Sequence, residues 1–193
     1  MTGRRLRTVL AHSCAAAMSL ALLAALSSPA LAVRRLPSEK HWRHDVARAM
    51  AGSHAYLDQA TADTTKKYAI NFDIDNSTLA THYRPGTAIP AVLSFATYAE
   101  EHGVALLFNT ARAGAPLAKT RSELTRAGYA VAEVCGRTSR KEAVAHGKQR
   151  CRARFVAEGY TIIANVGNRR TDFSGPKDYG RAFKLPNYRH RLA

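Results

Sequence analysis

Three times along the chain a helical pattern of apolar residues runs to a glycine, and a short apolar run follows at once. "SFATYAEEHG" leads to "VALLFN", "RSELTRAG" to "YAVAEV", and "CRARFVAEG" to "YTIIAN". Gly103, Gly128 and Gly159 stand where a helix end needs a left-handed residue. The runs after them are continuous rather than alternating, as in strands covered on both faces. "YAINF" adds one more strand in front. Helix and strand therefore alternate, which predicts βαβ units, a parallel sheet and right-handed crossovers. Upstream, Trp42, Val46, Met50 and Leu57 recur at roughly helical spacing and predict an amphipathic helix over residues 39–60. Thr87 is placed to N-cap the helix that carries Ile89, Val92, Leu93 and Ala96. Pro116 suits the first turn of the next helix. The tail predicts a short final strand over residues 182–185. No low-complexity tract or long linker interrupts residues 33–193, which read as a single domain.

Residues 1–32 have a different character. Arg4, Arg5 and Arg7 form a positive start, "CAAAMSLALLAAL" an apolar stretch, and Ala30-Leu31-Ala32 a small-x-small cleavage signal. The apolar stretch is short for a membrane span. Val33, not cysteine, follows the cleavage point, so no lipid anchor is expected. The pattern predicts ordinary secretion with cleavage after Ala32 and no stable membrane association afterwards; an uncut membrane anchor is the alternative. Cleavage removes three arginines and no acids, taking the formal charge from +15 to +12. So basic a protein attracts phosphate esters, nucleic acid or anionic surfaces. Two cysteines remain, Cys135 and Cys151. In an oxidising compartment they read as one disulfide, with free thiols as the alternative.

Ligands of open parallel sheets bind beyond the carboxyl ends of the strands. There the chain places Asp73-Ile74-Asp75-Asn76-Ser77, then Thr110-Ala111-Arg112, then Asn168-Arg169-Arg170-Thr171-Asp172, with Lys148 on the helix before the last of these. Asp73 and Asp75 are one residue apart, and carboxylates held that close raise each other's pKa unless a cation offsets them. The set has what phosphoryl transfer to a carboxylate requires. One Asp can act as nucleophile, a second acid can serve the leaving alcohol and the attacking water, and hydroxyl, ammonium and Mg²⁺ can hold the phosphoryl oxygens.

"FDIDNST", "FNTAR", "GKQRCRARFVAEGY" and "NVGNRRTDFSG" together resemble the four ordered motifs of the haloacid dehalogenase (HAD) superfamily. They are closest to its secreted acid phosphatase branch, which includes plant vegetative storage proteins and class B-like bacterial acid phosphatases. The resemblance spans about Trp42 to Pro186. It implies a three-layer α/β/α Rossmann-like fold, Mg²⁺ as cofactor, and hydrolysis of small phosphomonoesters, nucleotides among them, through an aspartyl-phosphate. Asp73 then corresponds to the nucleophile, Asp75 to the general acid/base, and Lys148, eleven residues before Gly159, to the catalytic lysine. Ser77 stands where the family usually has Thr. Thr110, with Ala111 and Arg112, corresponds to the phosphate-binding second motif. Asp73, Asp75, Asn168 and Asp172 make up the implied metal set. Asn168 departs from the family, which has Gly-Asp there. An amide oxygen carries no charge, so weaker Mg²⁺ binding is expected. The stretch between the first motif and the next helix is too short for a large cap domain.

Other readings of the same residues stand beside these. Lys148 shares its segment with Arg140, Lys141, Arg150, Arg152 and Arg154, and such a run is usually a solvated helix face. Arg169 and Arg170 read as solvated loop charges or as phosphate-steering groups. His41 and His44 have no metal-ligand spacing. At the level of the whole chain, one rival is a phosphatase fold with a weakened metal site, kept for anion binding or storage. Another is a basic secreted binder of nucleic acid or surfaces, whose DNA binding would be steeply salt-dependent.

Overall fold

In the computed structural model, which describes residues 35–63, 65–113 and 116–192, the first apolar run forms β1 (Lys67–Phe72). It lies at the centre of a five-stranded sheet with β2 (Ala105–Ala113), β3 (Glu133–Arg137), β4 (Tyr160–Gly167) and β5 (Arg181–Lys184). The order is β3-β2-β1-β4-β5, and every pairing is parallel. The predicted leader, residues 1–32, lies outside the described residues. No helix among the described residues is long and apolar enough to cross a membrane.

Side chains alternate across each strand, and this decides what faces what. Ile70 and Phe72 of β1 and Leu106 and Phe108 of β2 enter the larger core, together with Trp42, Val46, Leu57, Val92 and Phe95. Those residues come from α1 (Glu39–Ala49), α2 (Ser53–Ala60) and α3 (Pro90–Glu101). Leu124 of α4 (Leu117–Arg126) joins the same cluster. Ala69, Leu107 and Ile162 point the other way, against Cys151 and Phe155 of α5 (Val144–Ala157). Helices thus cover both faces, as the continuous apolar runs predict, although "YAVAEV" supplies only Glu133 and Val134 to β3 and the strand runs on to Arg137. Cys135 of β3 and Cys151 of α5 are joined in a disulfide.

Three local expectations are corrected. The helix over 39–60 is two helices, because the chain turns at Gly52 with φ of 74°, a left-handed value that costs glycine little. Thr87 does not cap α3. Ile89 is the N-cap and Pro90 the first helical residue; proline keeps the residue before it extended, so the helix cannot begin earlier. Arg152 is no solvated charge but fully buried, and its role belongs to the site. The loop between β1 and α3 is short, and Leu79 in it bridges to Asp75 and Ala88. No cap domain is inserted there.

Candidate active site

The alternation that sends Ile70 and Phe72 to one core sends Asn71 to the α5 face, and Asp73, two residues on, follows it. The backbone N–H of Asp73 donates to the Val166 carbonyl at 2.8 Å, so β4 holds the end of β1 firmly. Asp73 is only 6% exposed. Its two carboxylate oxygens have separate donors: the Lys148 ammonium at 2.5 Å from Oδ1, and the Ser77 hydroxyl at 2.6 Å from Oδ2. Lys148 also lies 3.0 Å from Asp172 Oδ1 and donates to the Asn109 carbonyl. One buried ammonium therefore sits between two buried carboxylates.

Burial, and then the nearby Asp172 carboxylate, push the Asp73 carboxyl up to about 6, while Lys148 and Ser77 pull against that rise. Burial alone would loosen the proton of Lys148. The charges of Asp172 and Asp73 outweigh it and hold the ammonium above its ordinary value.

Asp75 takes no part in this group. Arg112 Nε donates to its Oδ2 at 2.9 Å and Arg112 Nη2 to its Oδ1 at 2.8 Å, and the Thr81 hydroxyl adds a bond at 2.8 Å. Burial opposes its ionisation, but the Arg112 guanidinium, helped by Thr81, keeps its carboxyl below the ordinary range. The expected Asp73–Asp75 repulsion is thereby corrected. Successive side chains leave an extended chain on opposite sides only at odd spacing, but the turn after Asp73 breaks the alternation and hands Asp75 to β2. The carboxylate that crowds Asp73 is Asp172, and the cation that offsets it is Lys148. The Asp75 carboxylate, placed by the sequence reading among metal ligands, is spent on Arg112 and Thr81.

Asp172 follows β4 in a short 3-10 helix, Arg170–Phe173. Its Oδ2 accepts from the Arg169 N–H at 2.7 Å. Its backbone carbonyl accepts from Arg152 Nη1 at 3.0 Å and Asn165 Nδ2 at 2.8 Å. A Cβ on Gly167 would stand 2.5 Å from Asp172 Oδ2, so only glycine allows so close an approach. Arg152 further binds Asp178 and the Ser174 carbonyl, fastening the whole loop to α5.

Under the carboxylates runs a floor of three buried asparagines on adjacent strands. Asn71 Nδ2 donates to Asn165 Oδ1 at 2.7 Å, and Asn109 Nδ2 donates to the Lys148 carbonyl at 2.8 Å. Sequence reasoning passed over these residues and Arg152. The signal was present: "YAINF", "VALLFN" and "YTIIAN" each carry an Asn within an otherwise apolar run, and a buried polar group needs a partner.

Above the floor opens a cavity of about 260 Å³ lined by Asp73, Asp75, Ala111, Arg112, Arg169, Thr171 and Asp172. Ser77, Thr110, Lys148 and Asn168 do not line it, and each is almost fully buried. Thr110 Oγ1 accepts from the Arg112 N–H at 3.1 Å, and the Ala111 carbonyl from Arg137 Nε at 2.6 Å. The Arg112 fork is taken by Asp75 and by Glu123, a further residue the sequence reading missed.

Among the described residues no three acidic, histidine or cysteine side chains converge as a metal site. Two carboxylates do, Asp73 and Asp172. Asn168 is 1% exposed, and neither its Oδ1 nor its Nδ2 has a hydrogen-bond partner among the described residues. A buried amide left in that condition is costly unless something binds it. Two carboxylates and one amide oxygen suit a hard cation such as Mg²⁺, with less charge than three carboxylates would supply.

Residues 82–191 match the family described as HAD superfamily, subfamily IIIB (acid phosphatase). The chain belongs to that family. The matched segment holds Thr110, Lys148 and Asp172 and begins after Asp73, Asp75 and Ser77. A likeness of fold alone covers more of the chain. The chain is similar to the class C acid phosphatase from Bacillus anthracis with tungstate bound, at 21% identity and a TM-score of 0.59, over 72% of this chain and 67% of that one. A second structure of the Bacillus anthracis class C acid phosphatase aligns over the same shares at 21% identity with a TM-score of 0.56. At that identity the likeness speaks for the fold. No curated protein sequence matches this HAD phosphatase chain.

Proposed function

We propose that this HAD-family acid phosphatase is secreted and hydrolyses small phosphomonoesters, nucleotides among them, through an acyl phosphate formed on Asp73 (an aspartyl-phosphate). The observation that carries the reading is the buried Asp73 carboxylate at the cavity floor, held by Lys148 and Ser77. Lys148 and Ser77 fix the orientation of the attacking carboxylate, and the ammonium is already in place for the charge that develops on the phosphoryl oxygens. An Asp73 oxygen attacks phosphorus, the phosphorus–oxygen ester bond breaks, and the alcohol leaves with a proton. Water then cleaves the acyl phosphate, releasing inorganic phosphate and restoring the carboxylate.

Asp75 supplies and recovers that proton. While bound to Arg112 it is held ionised. When Arg112 turns to the phosphoryl oxygens, Asp75 loses the partner that keeps its proton affinity low. Thr110 and the Ala111–Arg112 backbone form the β2 wall of the phosphate site, with Lys148 behind them. Mg²⁺, held by Asp73, Asp172 and the Asn168 amide oxygen, would neutralise part of the negative charge that gathers when a phosphate enters. Secretion is supported by the leader pattern of residues 1–32 and by the Cys135–Cys151 bond, which suits an oxidising compartment.

The test is turnover of p-nitrophenyl phosphate by the purified protein with Mg²⁺ and with a chelator. Metal-dependent release of nitrophenol, abolished in Asp73→Asn, supports the reading; equal activity in that variant removes it. A second reading, anion binding without appreciable turnover, is favoured by the Lys148 ammonium already seated between Asp73 and Asp172. It predicts phosphate binding with no nitrophenol released at any Mg²⁺ concentration.

A further inference from the structure

Among the described residues three cations stand at the site, and two of them are matched by carboxylates. Lys148 lies between Asp73 and Asp172, and Arg112 lies between Asp75 and Glu123. Arg169 is the exception. It lines the cavity, yet among the described residues its guanidinium meets no carboxylate; Nη2 donates to the Leu192 carbonyl at 3.4 Å. Its neighbour in the cavity wall, Thr171, has a buried hydroxyl without a hydrogen-bond partner among the described residues.

The Leu192 carbonyl reaches Arg169 from a strained turn near the C-terminus. Tyr188, Arg189 and His190 all have positive φ, at 45°, 61° and 66°, a region that L-residues rarely adopt. The tight turn they form carries Leu192 back into the core, fully buried, and brings its carbonyl to Arg169. The Tyr188 hydroxyl, donating to Asp45 Oδ2 at 2.7 Å, secures the turn to α1. The guanidinium is thus tethered toward the C-terminal turn at the cavity edge, on the β4 side of Asp73. Thr110 and Ala111 stand on the β2 side. Adjacent strands are about 4.8 Å apart, so the two walls are roughly two strand spacings apart with Asp73 between them.

We infer that Arg169 and Thr171 form a subsite for a second anionic group, so that the enzyme favours compact phosphomonoesters carrying another negative charge a few bonds from the ester. The inference rests on the proposed hydrolysis at Asp73. A cavity of about 260 Å³ falls just under the roughly 300–1,000 Å³ of drug-sized pockets, which suits a small substrate. An unmatched guanidinium with an unmatched hydroxyl beside it is a fitting pair for a carboxylate or a second phosphate.

The experiment compares kcat/KM for 3-phosphoglycerate and glycerol 3-phosphate, which share a carbon skeleton and differ in a carboxylate. Glycerol 1,3-bisphosphate forms a third arm and tells whether carboxylate or phosphate is the better occupant. The wild-type protein should prefer the substrates with a second anionic group by roughly tenfold, as one charge-assisted hydrogen bond allows. Arg169→Gln should bring that ratio to near one, and Arg169→Lys should restore part of it. Arg170→Gln, in an exposed neighbour, should leave the ratio unchanged. A ratio that survives Arg169→Gln, or an equal loss on all substrates, overturns the subsite and leaves hydrolysis standing. No turnover of these esters or of p-nitrophenyl phosphate overturns both.

Discussion

The Lys148 ammonium stands 2.5 Å from Asp73 Oδ1 and 3.0 Å from Asp172 Oδ1, with all three side chains buried. Burial first, and then the second carboxylate of Asp172, make ionisation of Asp73 costly, and Lys148 offsets only part of that. The Asp73 carboxyl, ordinarily near 3.8, rises to about 6.

The first prediction follows from the sign of that shift. Below pH 3.8 Asp73 is protonated whether the chain is folded or not, and it contributes nothing. Between about 4 and 6 the folded state keeps the proton that the unfolded state has released, so stability falls as pH rises through this window. Above 6 the full cost is present, on the order of 3 kcal/mol. Asp73→Asn removes it. Thermal melts in a chelator should show the variant gaining on wild type between pH 4 and 6 and holding that advantage above, while turnover is lost. A melting difference that does not vary with pH would mean that Asp73 ionises as freely as in water.

The second concerns Arg152, which is fully buried and joins Asp178, Asp172 and Ser174 to α5. Arg152→Met leaves Asp178, itself 19% exposed, without its partner and two loop carbonyls without their donor, which costs about 3 kcal/mol. Arg154, two residues on, is 40% exposed and pairs with Glu133 and Glu158 at the surface. Arg154→Met should cost under about 1 kcal/mol. Urea titrations of the two variants compare them directly; equal midpoints would place Arg152 among the ordinary surface charges.

Asn168 yields the third. Asn168→Asp puts a charged oxygen at the end of β4, where the buried amide has no partner among the described residues, and a third carboxylate at the proposed cation site strengthens the electrostatic attraction for a divalent ion. The Mg²⁺ concentration that gives half of the metal-induced rise in melting temperature should fall, and the midpoint of activity with it. An unchanged midpoint means that Asn168 does not face the cation. A midpoint moved upward means that the amide already suits its site.

The disulfide supplies the fourth. Mass spectrometry of the unreduced protein should find Cys135 and Cys151 bonded. In the chain-entropy account a loop of this size stabilises by about 3 kcal/mol. Reduction should lower the melting temperature, and because Cys151 lies on α5 one turn past Lys148, it should reduce phosphatase activity as well. Activity and melting temperature that ignore reductant would remove the bond from the support of the site.

Much of this protein is decided by local chemistry and is legible in the chain. Continuous apolar runs between helical patterns ending in glycine determine a parallel sheet covered on both faces, because those runs have no polar side to show to water. The four motifs determine which residues gather at its carboxyl edge, since parallel strands all end on one side. The tertiary structure decided how the charges there pair. Asp73 and Asp75 are neighbours in sequence, but the turn between them sends one to Lys148 and Asp172 and the other to Arg112 and Glu123, partners from 37 to 99 residues away in the chain. Arg152 reads as one more basic residue in a run of them until the fold closes a loop over it. Arg169 gains its place only when a strained turn near the C-terminus returns Leu192 to the core. Patterning depends on each residue's own preference for water or for the interior, and a sequence displays that directly. Pairing depends on distances that exist only after the chain has closed on itself.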